Sequence, residues 1–181
     1  VTGDERVPLQ KKAVIVMCAD NGIVEEGISQ SGQEVTYQVA ESMGKRKSSV
    51  CLMAAQVGAE VIPIDVGIAS DETPEGVWNQ KVCRGTKNFL KQPAMAEEEA
   101  LAAIEAGIDS VKKCKEDGVT LLATGEMGIG NTTTSSAVAA ALLDCETADI
   151  TGKGAGLSDE GLLHKIAVIE EAREKYQFDK K

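Results

Sequence analysis

Residues 125–134 read Gly-Glu-Met-Gly-Ile-Gly-Asn-Thr-Thr-Thr. Glycines at 125, 128 and 130 let a backbone turn sharply and come close to a ligand. Asn131 and the threonines after it open a small-residue stretch that suits a helix, whose first free N–H groups attract anions. Phosphate binding alone has no use for the carboxylate of Glu126, which lies inside this loop. The same residues also suit a plain tight turn with Asn131 or Thr132 as helix N-cap. Their spacing is neither a Walker A loop nor a strict dinucleotide fingerprint.

Two further segments carry polar chemistry. Residues 20–36, DNGIVEEGISQSGQEVT, combine glycines, hydroxyls, amides and acids directly after an apolar run. Small polar groups there can shape a pocket for a planar heterocycle and bond its ring nitrogens; equally, Ser31 or Gln33 can simply begin the next helix. Residues 152–165, GKGAGLSDEGLLHK, place a glycine run before a helix with Ser158 and Asp159 as candidate caps. Lys153 and Lys165 are the cations available to a phosphate near the 125–134 loop, although each lysine singly also suits a solvated surface. His164 reads as a surface or satisfied histidine.

These segments need a scaffold. Ala13 to Ala19 is a continuous apolar run, as expected of a strand covered on both faces. Residues 33–46 and 48–57 read as helices, the second with Val50, Met53, Ala54 and Val57 on one face. Residues 60–65 form the next strand, which Pro63 demotes to an edge or distorted position. The loop that follows, with Gly67, Pro74, Gly76 and Gly85, is too long for a simple connector and reads as functional or disordered. Residues 95–116 form a helix with a stripe of Leu101, Ile104, Ile108 and Val111. Residues 119–123 read as a third buried strand running into the 125–134 loop, and a helix over 132–143 follows. The last helix, 159–176, carries Leu162, Leu163, Ile166, Ile169 and Ala172. Alternating strands and helices predict an α/β fold, a mainly parallel sheet flanked by helices in a Rossmann-like three-layer arrangement. In such folds ligands bind beyond the carboxyl ends of the strands. Residues 1–12 form a polar lead-in, and 13–181 one α/β nucleotide-binding domain.

The chain has 181 residues, and 29 Asp and Glu against 19 Lys and Arg give it a formal net charge of -10. An anionic duplex or membrane surface repels such a protein, so nucleic-acid and membrane partners are not expected. The 5 cysteines, an odd number with no Cys-x-x-Cys pair, read as reduced and mostly buried or half-buried. No metal site is expected with 1 histidine, and the absence of a leader or long apolar run suggests a cytoplasmic protein.

Taken together, residues 20–36, the Pro93-Ala94-Met95 triplet, GEMGIGNTTT, and GKGAGL with Lys165 resemble the nicotinate-nucleotide–dimethylbenzimidazole phosphoribosyltransferase family, in order, from about residue 13 to 176. The resemblance implies a reaction that needs neither metal nor cofactor. A benzimidazole nitrogen attacks C1′ of nicotinate mononucleotide, and nicotinate leaves. The product is an α-riboside 5′-phosphate destined to be the lower ligand of a cobamide. It further implies that Gly128, Gly130, Asn131 and Thr132 hold ribose and phosphate with Lys165 as counter-charge. Glu126 faces the reacting centre, and Ser29 and Gln33 belong to the base pocket. The family resemblance also suggests a homodimer.

Four departures stand out. Asp20-Asn21-Gly22 replaces the more usual Asp-His-Gly, and Gly154-Ala155-Gly156 replaces Gly-Thr-Gly. The family's general-base glutamate, near the carboxyl end of a protein about twice this length, has no counterpart here, nor has its amino-terminal helical part. The chain therefore looks like the central part of a longer enzyme, expected to bind weakly and turn over poorly or not at all. A non-catalytic ribotide-binding module is the alternative.

Overall fold

The computed structural model describes Glu5 and residues 9–176. Its sheet has four strands, β1 (Lys12–Ala19), β2 (Ala59–Gly67), β3 (Trp78–Asn79) and β4 (Leu121–Met127), in the order β3-β2-β1-β4. All pairs are parallel. Strand β1 is central, with Lys12 opposite Ala59 on one side and Leu121 on the other. The helices are α1 (Glu34–Gly44), α2 (Ser49–Gln56), α3 (Glu97–Glu116), α4 (Asn131–Leu143), α5 (Thr147–Ile150) and α6 (Asp159–Tyr176); a 3-10 turn covers Gly22–Glu26.

The apolar run in β1 has the two-sided cover that its composition requires. Val16 and Cys18 pack against Ala40 and Met43 of α1 and Cys51 and Ala54 of α2. Ala13 and Ile15 pack with Ile62, Ile64 and Cys114 of α3 on the other face. This is the expected three-layer α/β arrangement. Burial pushes the Cys18 thiol up to about 12, and all five cysteines are free, three buried and two half-buried. Among the described residues, no helix is long and apolar enough to cross a membrane.

Helix positions follow the sequence closely, because caps and glycines are local signals. Ser48 caps α2 by accepting from the Cys51 N–H, and Ser158 accepts from the Gly161 N–H at the start of α6. Which face is buried follows the sequence less well. In α3 the stripe of Leu101, Ile104, Ile108 and Val111 points outward, between 45% and 61% exposed, while Ala106, Ser110 and Cys114 face the sheet. Periodicity marks an apolar face but not what covers it, and here the opposite face with Ala106, Ser110 and Cys114 meets the sheet. Met53 of α2, Val57 just after it and Leu163 of α6 are likewise exposed.

The 119–123 segment is not a buried strand. Strand β4 starts at Leu121, continues through Gly125 and Glu126, and ends the sheet with Leu121, Ala123 and Thr124 exposed. An apolar run identifies a strand but cannot count the layers over it. Pro63 behaves as expected. Strand β3 pairs only with Ile64 and Asp65, so β2 has no outer strand at Pro63.

The long connection after β2 is ordered by hydrogen bonds. It is organised by Asp65, which is fully buried and accepts hydrogen bonds from the N–H groups of Gly67 and Ile68 and the hydroxyl of Thr73. Lys81 lies 3.3 Å from the same carboxylate. Further on, Gly85 and Thr86 donate to the carbonyls of Gly67 and Asp20. The connection is thereby laid against the carboxyl ends of β1 and β2.

Candidate active site

The parallel register brings the ends of β1, β2 and β4 to one edge, where Ala19 lies opposite Gly67 and Cys18 opposite Met127. The 20–36 segment leaves β1 there and the glycine loop leaves β4 beside it. Asn21, buried, joins them. Its Nδ2 donates to the Ile129 carbonyl at 3.3 Å, and its Oδ1 accepts from the Thr134 hydroxyl at 2.8 Å. Thr36 of α1, fully buried, accepts from the Ile129 N–H at 3.0 Å. Gln33 donates to the Asn21 carbonyl.

Two glycines of the loop are required by this closeness. A Cβ on Gly128 would stand 2.1 Å from the Ala19 carbonyl oxygen, 2.7 Å from Glu126 Oε1 and 2.9 Å from Asn21 Nδ2. Gly130 caps α4 in the left-handed region at φ 89°, where other residues are strained. Beyond them opens a cleft of about 600 Å³ lined by Asn21, Glu126, Asn131, Thr134 and Ser135, with Val138, Ala139, Leu142 and Leu143 as its apolar wall. An apolar groove of about 420 Å³ adjoins it between α4, α6 and Phe89 to Ala94.

Glu126 accepts a hydrogen bond from the Asn131 amide. Solvent reaches it from the open side, yet the protein around it withholds enough water to push its carboxyl up to about 7 from the usual 4.5. Such a group can give or take a proton near neutrality. The folded chain holds this proton more tightly than the unfolded one. The contribution to stability is therefore full below about pH 4.5 and lost as pH rises through about 7. We expect the stability of Glu126→Gln, relative to the parent, to climb between about pH 4.5 and 7 in denaturant titrations. A pH-independent difference would show that the carboxyl is not shifted.

The third segment meets the second through Lys165. It lies on α6 and is 1% exposed, and its Nζ donates to Thr132 Oγ1 at 2.8 Å and to the Gly152 carbonyl at 3.0 Å. Both partners are neutral, and no carboxylate lies within 4.0 Å of Lys165 among the described residues. Burial lowers its pKa. A Cβ on Gly154 would stand 3.7 Å from Nζ, so the glycine run passes directly over the ammonium group. A buried cation without a counter-charge, at the amino-terminal turn of α4, is suited to receive an anion.

Of the residues expected from the sequence, Glu126 and Asn131 line the cleft. Gly128 and Gly130 form the turn between them, Gln33 donates to the Asn21 carbonyl, and Lys165 holds Thr132 at the start of α4. Ser29 is less engaged: its hydroxyl accepts from the Ser31 N–H within its own loop. Gln30, which sequence reasoning passed over, donates to the Gly156 carbonyl and ties the first segment to the third. Lys153 is separated from Lys165 in role, exposed and paired with Asp159 at 2.6 Å. His164 Nε2 is hydrogen-bonded to the Glu26 carbonyl, a satisfied surface histidine as its position suggested. Asn21 and Thr134 link the loops although only the Asn-Gly turn and the threonine run signalled them. Asp20, buried beside them, accepts from the Ala69 N–H at 2.8 Å and has its carboxyl raised, chiefly by burial.

The chain is similar to known proteins in sequence and in fold. The DBI_PRT family model, described as Phosphoribosyltransferase, matches residues 1–181. The nicotinate-nucleotide--dimethylbenzimidazole phosphoribosyltransferase of Acetivibrio thermocellus is 46% identical over 172 residues, covering 95% of this chain and 49% of that protein. The enzyme of the same name from Geobacter metallireducens is 46% identical over 164 residues, covering 90% and 46%. The crystal structure of CobT from Thermus thermophilus superposes with a TM-score of 0.88 at 37% identity, covering 93% of this chain and 51% of that one. The chain spans about half the length of the curated relatives it matches. On a match that runs from end to end, the chain belongs to the DBI_PRT phosphoribosyltransferase family.

Proposed function

We propose that this chain forms the nucleotide-binding α/β part of a pentosyl transferase. It moves the phosphoribosyl group of nicotinate mononucleotide to 5,6-dimethylbenzimidazole or a related base. The products are nicotinate and α-ribazole 5′-phosphate, for the lower ligand of a cobamide. The observation that carries the proposal is the buried, uncompensated ammonium of Lys165 next to the glycine loop that holds Glu126. In this reading Lys165, Thr132 and the α4 amides take the 5′-phosphate. Gly128, Gly130 and Asn131 border the ribose, and Gln33 and Ser29 the base.

The chemistry asks for orientation and charge more than for a nucleophile from the protein. The lone pair of the benzimidazole nitrogen forms the new bond to C1′ as the bond to the pyridinium nitrogen breaks. That electron pair returns nicotinate to a neutral ring, and the second ring N–H loses its proton to a base. In this reading Glu126, which lines the cleft and has its carboxyl raised to about 7, stabilises positive charge developing at C1′. The chain spans about half the length of its curated relatives, and we expect it to bind the nucleotide and to transfer more slowly than they do. The enzyme acts in the cytoplasm and, as the resemblance suggests, as a homodimer.

Nicotinate release from nicotinate mononucleotide with 5,6-dimethylbenzimidazole tests this, with the Acetivibrio thermocellus relative as reference. Calorimetric binding of the nucleotide by the chain, with nicotinate release below that of the reference, is the expected result. Binding with full protection of the nucleotide in every condition would favour a non-catalytic ribotide-binding module. No binding of either nucleotide or inorganic phosphate would overturn the site.

A further inference from the structure

Ile129 stands between two glycines in the loop that leads into α4, and its peptide groups are held from outside the loop. Thr36 of α1, 0% exposed, accepts from the Ile129 N–H at 3.0 Å. The carbonyl of that same peptide, on Gly128, accepts from the Asn131 N–H at 3.0 Å. In the next peptide the Ile129 carbonyl accepts from Asn21 Nδ2 at 3.3 Å. Two successive peptide planes are thus gripped by side chains of the 20–36 segment, one by Thr36 and one by Asn21.

Glycine makes the grip necessary. Gly130 lies in the left-handed region at φ 89°, and glycine populates the opposite sign of φ about as readily. The residue itself therefore does not prevent rotation of the Ile129–Gly130 peptide, which would turn the Ile129 carbonyl away from Asn21. The Asn21 amide is itself oriented. Its Oδ1 accepts from the Thr134 hydroxyl at 2.8 Å, which leaves Nδ2 for the carbonyl. Gln33 Nε2 and the Val24 N–H both donate to the Asn21 carbonyl and fix its backbone. The clamp reaches the cleft at Gly128. A Cβ there would stand 2.9 Å from Asn21 Nδ2 and 2.7 Å from Glu126 Oε1, and Glu126 accepts in turn from the Asn131 amide.

We infer that Asn21 and Thr36 are positioning residues: they fix the peptides on either side of Ile129, and with them Glu126 and Asn131, before any nucleotide arrives. The inference rests on the transferase reading for what the cleft receives, and it gives neither residue a contact with the reacting atoms. A loop set in advance binds without the cost of ordering itself. The phosphate side is held separately, since Lys165 reaches Thr132 from α6. Removing the clamp loosens the ribose end of the site and spares the phosphate end.

Thr36→Val, of nearly the same shape, and Asn21→Ala each remove one grip, whereas Thr36→Ser keeps the hydroxyl. Amide hydrogen exchange, and calorimetry with nicotinate mononucleotide and with inorganic phosphate, test the inference on the intact chain and each variant. In Thr36→Val the Ile129 amide is expected to exchange about tenfold faster or more, with the β1 amides unchanged. Nucleotide affinity should fall about tenfold in Thr36→Val and in Asn21→Ala, while phosphate affinity stays within about twofold. Thr36→Ser should restore both the exchange rate and the affinity. Equal losses for nucleotide and phosphate would reduce the two residues to general structural support and overturn the proposal. So would unchanged nucleotide affinity with an exposed Ile129 amide, or an Ile129 amide that exchanges freely in the parent. A parent that binds neither ligand would sink the transferase reading. Protection at Ile129 that is lost in Thr36→Val and kept in Thr36→Ser would then still uphold the clamp, and its absence would overturn it.

Discussion

Lys165→Met is expected to weaken binding of nicotinate mononucleotide by about 10- to 100-fold, the range for loss of a charged hydrogen bond, and at the same time to stabilise the fold. The two effects have one cause. The ammonium is almost wholly buried, with a hydroxyl and a carbonyl as partners and no opposing charge. Without ligand it is a desolvated cation that depresses its own pKa. Methionine fills similar volume without the charge, and Thr132 and Gly152 are exposed, so water can replace the lost bonds. A gain of about 1–2 kcal/mol is expected.

The pH dependence has a defined sign. The lysine is less basic in the folded chain than its unfolded value of 10.5. The unfolded chain thus binds the proton more tightly, and the stability of the parent relative to the variant rises with pH toward 10.5. Nicotinate riboside, which lacks the phosphate, separates binding from structure. Its affinity should be the same for parent and Lys165→Met within about twofold. An equal loss for riboside and nucleotide would remove Lys165 from the phosphate subsite. A destabilised Lys165→Met would show that the ammonium is part of the packing and not held in readiness for an anion.

Asp65→Ala is expected to cost about 3–5 kcal/mol of stability, the range for breaking one side of a buried ion pair. The carboxylate lies with 0% exposure at the end of β2. One oxygen accepts from Gly67 and Ile68, and the other accepts from Thr73 and faces Lys81. Removing it strands two backbone donors and leaves Lys81, itself largely buried, with the Ser70 carbonyl. Asp65→Asn keeps an acceptor for the backbone groups and should lose less. Hydrogen exchange gives a second readout. Protection should fall first between residues 67 and 86, where Gly85 and Thr86 bond to β2 and β1, and later in the sheet. Uniform loss, or a cost below about 1 kcal/mol, would mean that the connection is held by something other than this carboxylate.

Asp65 and Lys165 share a history as residues. Each was visible in the sequence, and neither announced its burial. The glycine loop at 125–130 was legible because left-handed backbone and close approach demand glycine locally, and because GEMGIGNTTT resembles the family's sequence. The strand at 13–19 was legible because two-sided cover needs an unbroken apolar run. The helix over 97–116 was legible from composition, yet its buried face was not. Periodicity picks out the line Leu101, Ile104, Ile108 and Val111, and the sheet accepts the smaller Ala106, Ser110 and Cys114 instead. The apolar letters of β4 did not reveal that it ends the sheet.

The sequence by itself determined the three-layer α/β class, the order of the elements and the polar segments of the site, since turns, caps and glycine conformations are chosen within a few residues. Tertiary structure alone decided that Asn21 would bridge the first and second segments, that Lys165 would be sealed under the third, and that Asp65 would organise the 67–86 connection. Those outcomes depend on which parallel strands lie side by side, and pairing between strands far apart in the chain is a property of packing that local residue patterns do not carry.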